Sequence, residues 1–295
     1  MMRHYWDPRF TERSPLFSPL TGVSAQFRSH NQNDWPTLMD YQNLFEQYSG
    51  DSKNKANKPL HFVNQSSASK TFEDAYEQRI YLKGEIQTRL KNWHDFFQVL
   101  VWSIFTRSKI QLNALHYQAA KLRNQETSGN TNRSPVENTI TLFDECGVIL
   151  LSDKTEILEL VRDFNWKKLF INNRSQIQQH LKCIIFGHAL YEKSLTPYIG
   201  MTGHGLLLKI KSTFFEFDLN TQLQIIDDKI TAIFSRPVSE IIPNILTPVP
   251  ILGMPNWDVN NQSESYYDNE NYFRIGRTKP QSPIFDTALN RIKGI

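Results

Sequence analysis

The chain has 295 residues, of which 39% are hydrophobic and 21% are charged, proportions typical of a globular protein. The formal net charge is +3, so nucleic acid is an unexpected partner, because domains that bind polyanions carry a clear basic stripe. No apolar run approaches the roughly 18 residues that span a bilayer, and the first residues lack the apolar core of a signal peptide. Two cysteines, Cys146 and Cys183, are typical of reduced intracellular thiols. We therefore expect a cytoplasmic protein without membrane association and of unknown oligomeric state.

Three segments are predicted from the distribution of polar and apolar residues. Residues 1–58 are rich in Asn and Gln and are interrupted by prolines, which predicts a loosely attached N-terminal region that ends in a linker. Residues 59–277 carry the periodic apolar pattern and predict a single compact domain. Residues 278–295 are interpreted as a C-terminal tail.

The first strong pattern in the compact region predicts two consecutive helices. Residues 93–105 are apolar nearly all round the helix, which is typical of a central, buried helix. A second helix is predicted over residues 109–123, with Ser108 as its N-cap. Residues 139–143 then alternate and include β-branched side chains, and an apolar run at 148–151 follows a turn-like stretch, so we predict a β-hairpin.

The second half of the compact region predicts a long helix, another hairpin and a further helix. The long helix covers residues 175–195 and ends before Pro197. Residues 206–218 favour the second hairpin, and Asn220 or Thr221 is expected to cap the last helix. Residues 243–277 are rich in Pro, Asn and aromatic residues. The predicted fold is therefore helix-rich α+β, with buried central helices, two short β-hairpins and a long irregular C-terminal tail laid over the core.

The long predicted helix carries an informative polar pair. His188 and Glu192 fall on the same stripe as Ile177, Leu181 and Ile184, and they are one helical turn apart. A carboxylate on a stripe that faces the core is costly unless another group pairs with it. Either the stripe meets water at this end, or the pair has a polar pocket, a metal or a cationic partner; an ordinary buried pair that holds two helices in register is the alternative.

Other ionisable residues also lie among apolar neighbours. His94 and Asp95 begin the first buried helix, and His116 lies within the second. Asp144 and Glu145 occupy the predicted hairpin turn and are candidates for binding a cofactor. Each residue also has a structural interpretation, as a hydrogen-bonded core histidine, a first-turn acid or a turn residue. Histidine and carboxylate together are what a divalent metal or a general acid/base site requires.

Known catalytic motifs give no assignment. The segment from His188 to Glu192 has one His and one Glu but lacks the second His of the zinc-helix motif HExxH. The sequence contains no CxxC pair, EF-hand loop, phosphate-binding glycine loop or nucleophile elbow. The chemistry must therefore be inferred from individual residues.

Several blocks, in the same order, resemble the signature segments of a bacterial family catalogued as domain of unknown function 3025. The blocks are NWHDFFQVLVWSIF, LNALH, TLFDECG, FGHALYEK and TPVPILGMPNW. The resemblance covers about residues 59–277 and implies a bacterial origin and one family-wide domain. It implies no activity, substrate or catalytic residue, although the candidate polar residues lie in the same segments that carry it.

The leading hypothesis is a metal-dependent or acid/base hydrolase-like enzyme, and whether the protein is an enzyme stays open at this point. Its catalytic set would be His94, Asp95, His116, His188 and Glu192. A divalent metal, if one is used, would be held by the three histidines and Glu192. A non-catalytic ligand-binding or protein-interaction module is the alternative, with a surface formed by Trp257, Tyr266, Tyr267, Tyr272 and Phe273. Weak RNA association is a third reading that depends only on the slight positive charge.

Overall fold

A computed structural model of the chain describes residues 5–31, 34–66, 71–126, 132–276 and 281–287. Of the predicted C-terminal tail, only residues 281–287 lie inside these ranges. None of the helices formed by the described residues is long and apolar enough to cross a membrane.

Helices outnumber strands, and the prediction of a helix-rich α+β fold is confirmed. The helices are α1 (Leu38–Ser49), α2 (Tyr76–Lys83), α3 (Trp93–Ile104), α4 (Thr106–Glu126), α5 (Pro135–Cys146), α6 (Thr155–Arg162), α7 (Arg174–His180), α8 (His188–Ser194) and α9 (Leu219–Phe234). The strands are β1 (His61–Asn64), β2 (Glu85–Thr88), β3 (Gly147–Ser152), β4 (Leu181–Ile185), β5 (Thr202–Lys209), β6 (Thr247–Pro250) and β7 (Ile284–Asp286).

The main sheet is mixed and has β3 and β5 at its centre. These two strands are parallel, β4 runs antiparallel along the outer edge of β3, and β6 runs antiparallel to the first half of β5. β7 pairs in parallel with the second half of β5. All six residues of β3 are buried, as expected of a strand that is paired on both edges and covered on both faces. A separate pair of parallel strands, β1 and β2, lies apart from this sheet.

The predicted buried helix exists and organises an aromatic core. Asn92 caps α3 by accepting a hydrogen bond from the backbone N–H of Asp95 at 3.1 Å. Rings from residues 5–31 pack directly on this helix: Trp6 stacks on Trp93 with ring centroids 5.2 Å apart, and Phe10 meets Phe97 at 5.3 Å. The N-terminal region, expected to be loosely attached, therefore contributes fully buried side chains to the core.

The hairpin predicted over residues 139–151 is wrong, because residues 139–146 belong to α5 and only β3 is a strand. Ser134 and Glu137 form a capping box and Pro135 occupies the first helical position, which together start a helix ahead of the β-branched residues. Local strand propensity is weak enough for these caps and for burial to override it.

The single long helix over residues 175–195 is also wrong. It is divided into α7, β4 and α8, because Leu181–Ile185 pair with β3. The second hairpin is replaced by β5 and a short 3-10 turn at Ser212–Glu216, since β5 pairs with β3, β6 and β7 and not with residues 214–218. The last helix is confirmed as α9, but the predicted caps Asn220 and Thr221 lie inside it and Asp218 is the N-cap.

The irregular C-terminal segment is laid over the core, as predicted. Tyr267, Tyr272 and Phe273 are buried, and Trp257 and Tyr266 pack against the same core. The Tyr272 hydroxyl donates to the Met201 carbonyl at 2.7 Å. The proposed aromatic binding surface is therefore occupied by contacts within the chain, and the interaction-module hypothesis loses its main support.

The substitution Trp6→Ala tests whether residues 5–31 are part of the cooperative fold. We expect the free energy of unfolding to fall by about 3–5 kcal/mol, the usual cost of truncating a buried Trp. Urea denaturation measures this change, with Tyr5→Ala as the control because Tyr5 is 79% exposed. Equal stability of the two variants would contradict the packing of this segment on α3.

Gly187 allows α8 to approach the end of α5, which brings His188 towards Asp144. A Cβ at this position would overlap the backbone of Glu145 and Cys146. We expect Gly187→Ala to lower the free energy of unfolding by about 1–3 kcal/mol through overpacking. Gly22→Ala is the matched control, since its Cβ would meet nothing closer than the Asn220 side chain at 3.7 Å. Urea denaturation of both variants measures the difference, and a neutral Gly187→Ala would contradict the close approach.

Candidate functional site

One polar cavity collects most of the residues singled out from the sequence. Its volume is about 460 Å³, and helices α2 to α5 and α8 contribute to its walls. The candidates that line it are His94, Asp95, His116, Asp144, Glu145 and His188. Glu192 lies behind this wall and contacts His94. The inference that ionisable groups on buried helix surfaces share a cavity is therefore supported by the geometry.

His188 is the most constrained residue of the site. Only 3% of it is exposed, and its Nδ1 lies 2.9 Å from the carbonyl oxygen of Asp144. A carbonyl can only accept, so Nδ1 carries the hydrogen and Nε2 carries the lone pair when the ring is neutral. Burial lowers the pKa of His188 from 6.5 to about 3, although the nearby Asp144 carboxylate opposes this shift. His188 is therefore neutral at physiological pH.

His94 connects His188 to Glu192 and fixes the number of protons in the cluster. The Nε2 atoms of His94 and His188 are 3.0 Å apart, and the lone pair of His188 requires His94 to donate. The other nitrogen of His94, Nδ1, is 2.9 Å from a Glu192 carboxylate oxygen. A neutral His94 that donates through Nε2 has a lone pair at Nδ1, which cannot bond to an ionised carboxylate. For both contacts to be hydrogen bonds, one additional proton must therefore lie on His94 or on Glu192.

Asp144 anchors the far side of His188. Its carboxylate makes a buried ion pair with Lys109 and lies 3.7 Å from Nδ1 of His188. Burial raises the pKa of Asp144, but the charge and the hydrogen bond of Lys109, together with smaller contributions from His188 and His116, hold it below its usual value. Lys109 also lies over the Trp102 ring, 5.0 Å from its centroid. Asp144 therefore stays ionised and fixed in position.

The remaining charges in the wall are largely paired with one another. Both carboxylate oxygens of Asp95 accept from the Arg89 guanidinium, at 3.1 and 2.8 Å. Arg123 donates to Glu137 at 2.8 Å, and Glu137 is nearly fully buried. The Asp95 carboxylate thus holds Arg89 in the cavity wall and makes no hydrogen bond to His94 or His188.

His116 borders the cavity but does not join the chain of hydrogen bonds. Its Nε2 lies 3.5 Å from the Thr141 hydroxyl, and its Nδ1 is buried without a partner among the described residues. It also lines a second cavity of about 10 Å³, the size of one water molecule, together with the unpartnered polar atoms of Tyr76, Trp102 and Asn113. His116 therefore has a polar environment of its own.

The geometry bears directly on the expected metal ligands His94, His116, His188 and Glu192. Glu192 contacts Nδ1 of His94, whereas His188 faces the opposite nitrogen, so one ion cannot be shared by Glu192, His188 and a single nitrogen of His94. Across the part of the chain that the structure describes, no group of three or more His, Cys, Asp or Glu side chains is arranged to hold a metal ion. Glu145 is exposed at the rim, and it too completes no such group.

Several functional groups of the cavity escaped the sequence analysis. Lys109 stands at the start of the second predicted helix, where a charge gives no signal, and it lines the small neighbouring cavity. Gln78 and Gln98 are uncharged, and Arg89 lies between β2 and α3 without any periodic pattern. Their placement depends on contacts between segments that are distant in the sequence.

Comparison with known proteins gives a family and no activity. A family model described as "Protein of unknown function (DUF3025)" matches residues 60–277, about three quarters of the chain. No curated protein and no solved structure matches the chain. The protein belongs to the DUF3025 family, whose model covers α3, α4, α5 and α8 and thus the helices that carry the histidine cluster.

Proposed function

We propose that the protein is a general acid/base enzyme of the hydrolase type, with His94 as the acid and His188 as the base. The observation that carries the proposal is the continuous chain Glu192–His94–His188–Asp144, which borders a polar cavity. It presents a donating Nε2–H and an accepting Nε2 side by side, 3.0 Å apart. Hydrolysis needs both groups, a base to activate water and an acid to protonate the leaving group.

The proposed cycle balances its protons within the two rings. When water and substrate enter between the rings and break the hydrogen bond from His94 to His188, His188 Nε2 takes a proton from the attacking water while His94 Nε2–H gives one to the leaving group. His188 is then an imidazolium in a buried site that disfavours charge, so it returns its proton to His94 across their contact. Glu192 stabilises the protonated form of His94, and Asp144 keeps His188 in the required tautomer. Lys109 positions Asp144, and Asp95 positions Arg89.

A metal-dependent hydrolase is the second candidate, and one observation favours it. Each histidine directs Nδ1 at an oxygen acceptor, an arrangement common among histidines that bind metals through Nε2. The Nε2 atoms of His94 and His188 would hold the cation in place of the proton that His94 donates to His188, and the cation would activate water for hydrolysis. Metal analysis of the purified protein and of His188→Ala separates the two mechanisms, because a stoichiometric ion lost in the variant would favour the metal over the proton.

The proton count is measured by long-range ¹H–¹⁵N NMR of protein labelled at histidine. We expect His188 to appear as the neutral tautomer protonated at Nδ1, and His94 to share the additional proton with Glu192. Glu192→Gln removes the carboxylate that stabilises this proton, and His94 is then expected to become neutral. A His94 that is neutral and protonated only at Nδ1 in the native protein would contradict the acid/base proposal.

Turnover is tested by incubating the protein with a metabolite extract and following hydrolysis products by mass spectrometry. We expect any conversion by the native protein to fall at least 100-fold in His188→Asn, since general acid/base groups contribute about 10²–10⁴-fold. Asn at this position retains an N–H for the Asp144 carbonyl. His180→Asn is the matched control, because His180 also pairs with a carboxylate, Asp153 at 3.0 Å, outside the cavity. Equal loss in both variants, or none in His188→Asn, would contradict the proposal.

The lowered pKa of His188 also predicts a pH dependence of stability. Unfolded His188 binds a proton below its ordinary pKa of 6.5, whereas the folded protein does not until about pH 3. The unfolded state therefore binds more protons in this window, and folding loses at most about 2 kcal/mol from this residue between pH 6.5 and pH 5. Urea denaturation at pH 7 and pH 5 measures the effect, which we expect to shrink in His188→Asn. An unchanged pH dependence in that variant would contradict a neutral buried His188.

A further inference from the structure

Two buried glutamine side chains face the cavity without partners. Gln78 and Gln98 are only 5% and 6% exposed, and both line the cavity. Neither side-chain amide makes a hydrogen bond to any residue that the structure describes. The polar atoms of both amides are open to the cavity, where they can hydrogen-bond to a polar ligand that displaces water.

Gln98 lies next to the proposed acid. It follows His94 by one turn of α3, so that the two side chains occupy the same face of the helix. Gln78 lies on α2, which also contributes Glu77 to the wall. A ligand that reached both amides would therefore extend from the α2 side of the cavity towards the His94–His188 pair.

The charge of the wall indicates which ligands fit. The cationic groups of Arg89 and Arg123 are bound to carboxylates, and Lys109 is paired with Asp144. Arg133, which bonds to the Thr141 hydroxyl, is exposed. The described lining also includes the carboxylates of Glu77, Asp95, Glu137, Asp144 and Glu145, so negative groups outnumber the guanidinium groups and disfavour a phosphate or carboxylate, whereas an amide offers one donor and one acceptor group to a neutral ligand.

We propose that the cavity binds an uncharged substrate that carries neighbouring hydroxyl or carboxamide groups, and that Gln78 and Gln98 recognise it. This inference depends on the proposed function, because it places the bond to be hydrolysed beside His94 and His188. Gln98 is the group expected to orient the substrate nearest the reacting atoms. Gln78 is expected to determine which substrates are held.

The test uses three probes with the same sugar ring and different charge: N-acetylglucosamine, glucosamine and glucose 6-phosphate. Binding to the full-length protein is followed through the ¹H–¹⁵N signals of the glutamine side-chain amides, assigned with the Gln78→Leu and Gln98→Leu variants. We expect N-acetylglucosamine to shift both signals at millimolar concentration and to bind at least tenfold more tightly than glucosamine or glucose 6-phosphate. Each Leu variant is expected to weaken this binding about tenfold, the loss of roughly one hydrogen bond.

Two controls separate this inference from the catalytic proposal. Gln42→Leu, which removes an amide that bonds to Phe62 outside the cavity, should leave probe binding unchanged. His188→Asn should abolish turnover and retain binding of N-acetylglucosamine within about threefold. The inference would be overturned if glucose 6-phosphate bound more tightly than N-acetylglucosamine, or if neither Leu variant weakened the binding of N-acetylglucosamine. It would also be overturned if N-acetylglucosamine did not bind at ~50 mM, which corresponds to less than about 2 kcal/mol of binding free energy. The histidine NMR spectrum would still decide the acid/base proposal independently.

Discussion

The hydrogen bond from His188 to the Asp144 carbonyl is the constraint on which the site depends. It is made by the first residue of α8 and the last turn of α5, and Gly187 permits this close approach. Because a carbonyl cannot donate, the bond decides which nitrogen of His188 carries hydrogen. The protonation of His94 and the role of Glu192 then follow from the same donor count. A single backbone contact thus sets the state of three ionisable side chains.

Stability alone does not account for the composition of this region. Buried ion pairs such as Lys109–Asp144 and Arg123–Glu137 gain little over well-packed apolar residues, because removing charges from water is costly. The side of α3 that faces away from the cavity is apolar, since it buries Trp93, Phe96 and Phe97 among other aromatic rings. Polar residues are therefore concentrated on one side of the helix, where they surround the cavity. A functional site is the explanation that fits this asymmetry.

The sequence predicted the parts of the site that are local. The helical spacing of His188 and Glu192 survives although the helix around them is much shorter than predicted, because the i, i+4 relation needs only one turn. The buried α3 was predicted for the same reason, from a pattern contained in twelve residues. In contrast, β4 was hidden within a helical pattern, since its partner β3 lies some 30 residues earlier and the pairing cannot be read from either segment alone. The partner of Glu192 was likewise missed, because His94 precedes it by 98 residues.

Two chemically identical side chains acquire different roles through their acceptors. His188 faces a neutral carbonyl in a buried position, so it remains uncharged and offers a lone pair. His94 faces the Glu192 carboxylate in a partly exposed position. The proposed acid and base roles therefore depend not on the residue types, which are the same, but on the atoms that each ring meets after folding. This is why residue identity alone could nominate both histidines and could not assign either role.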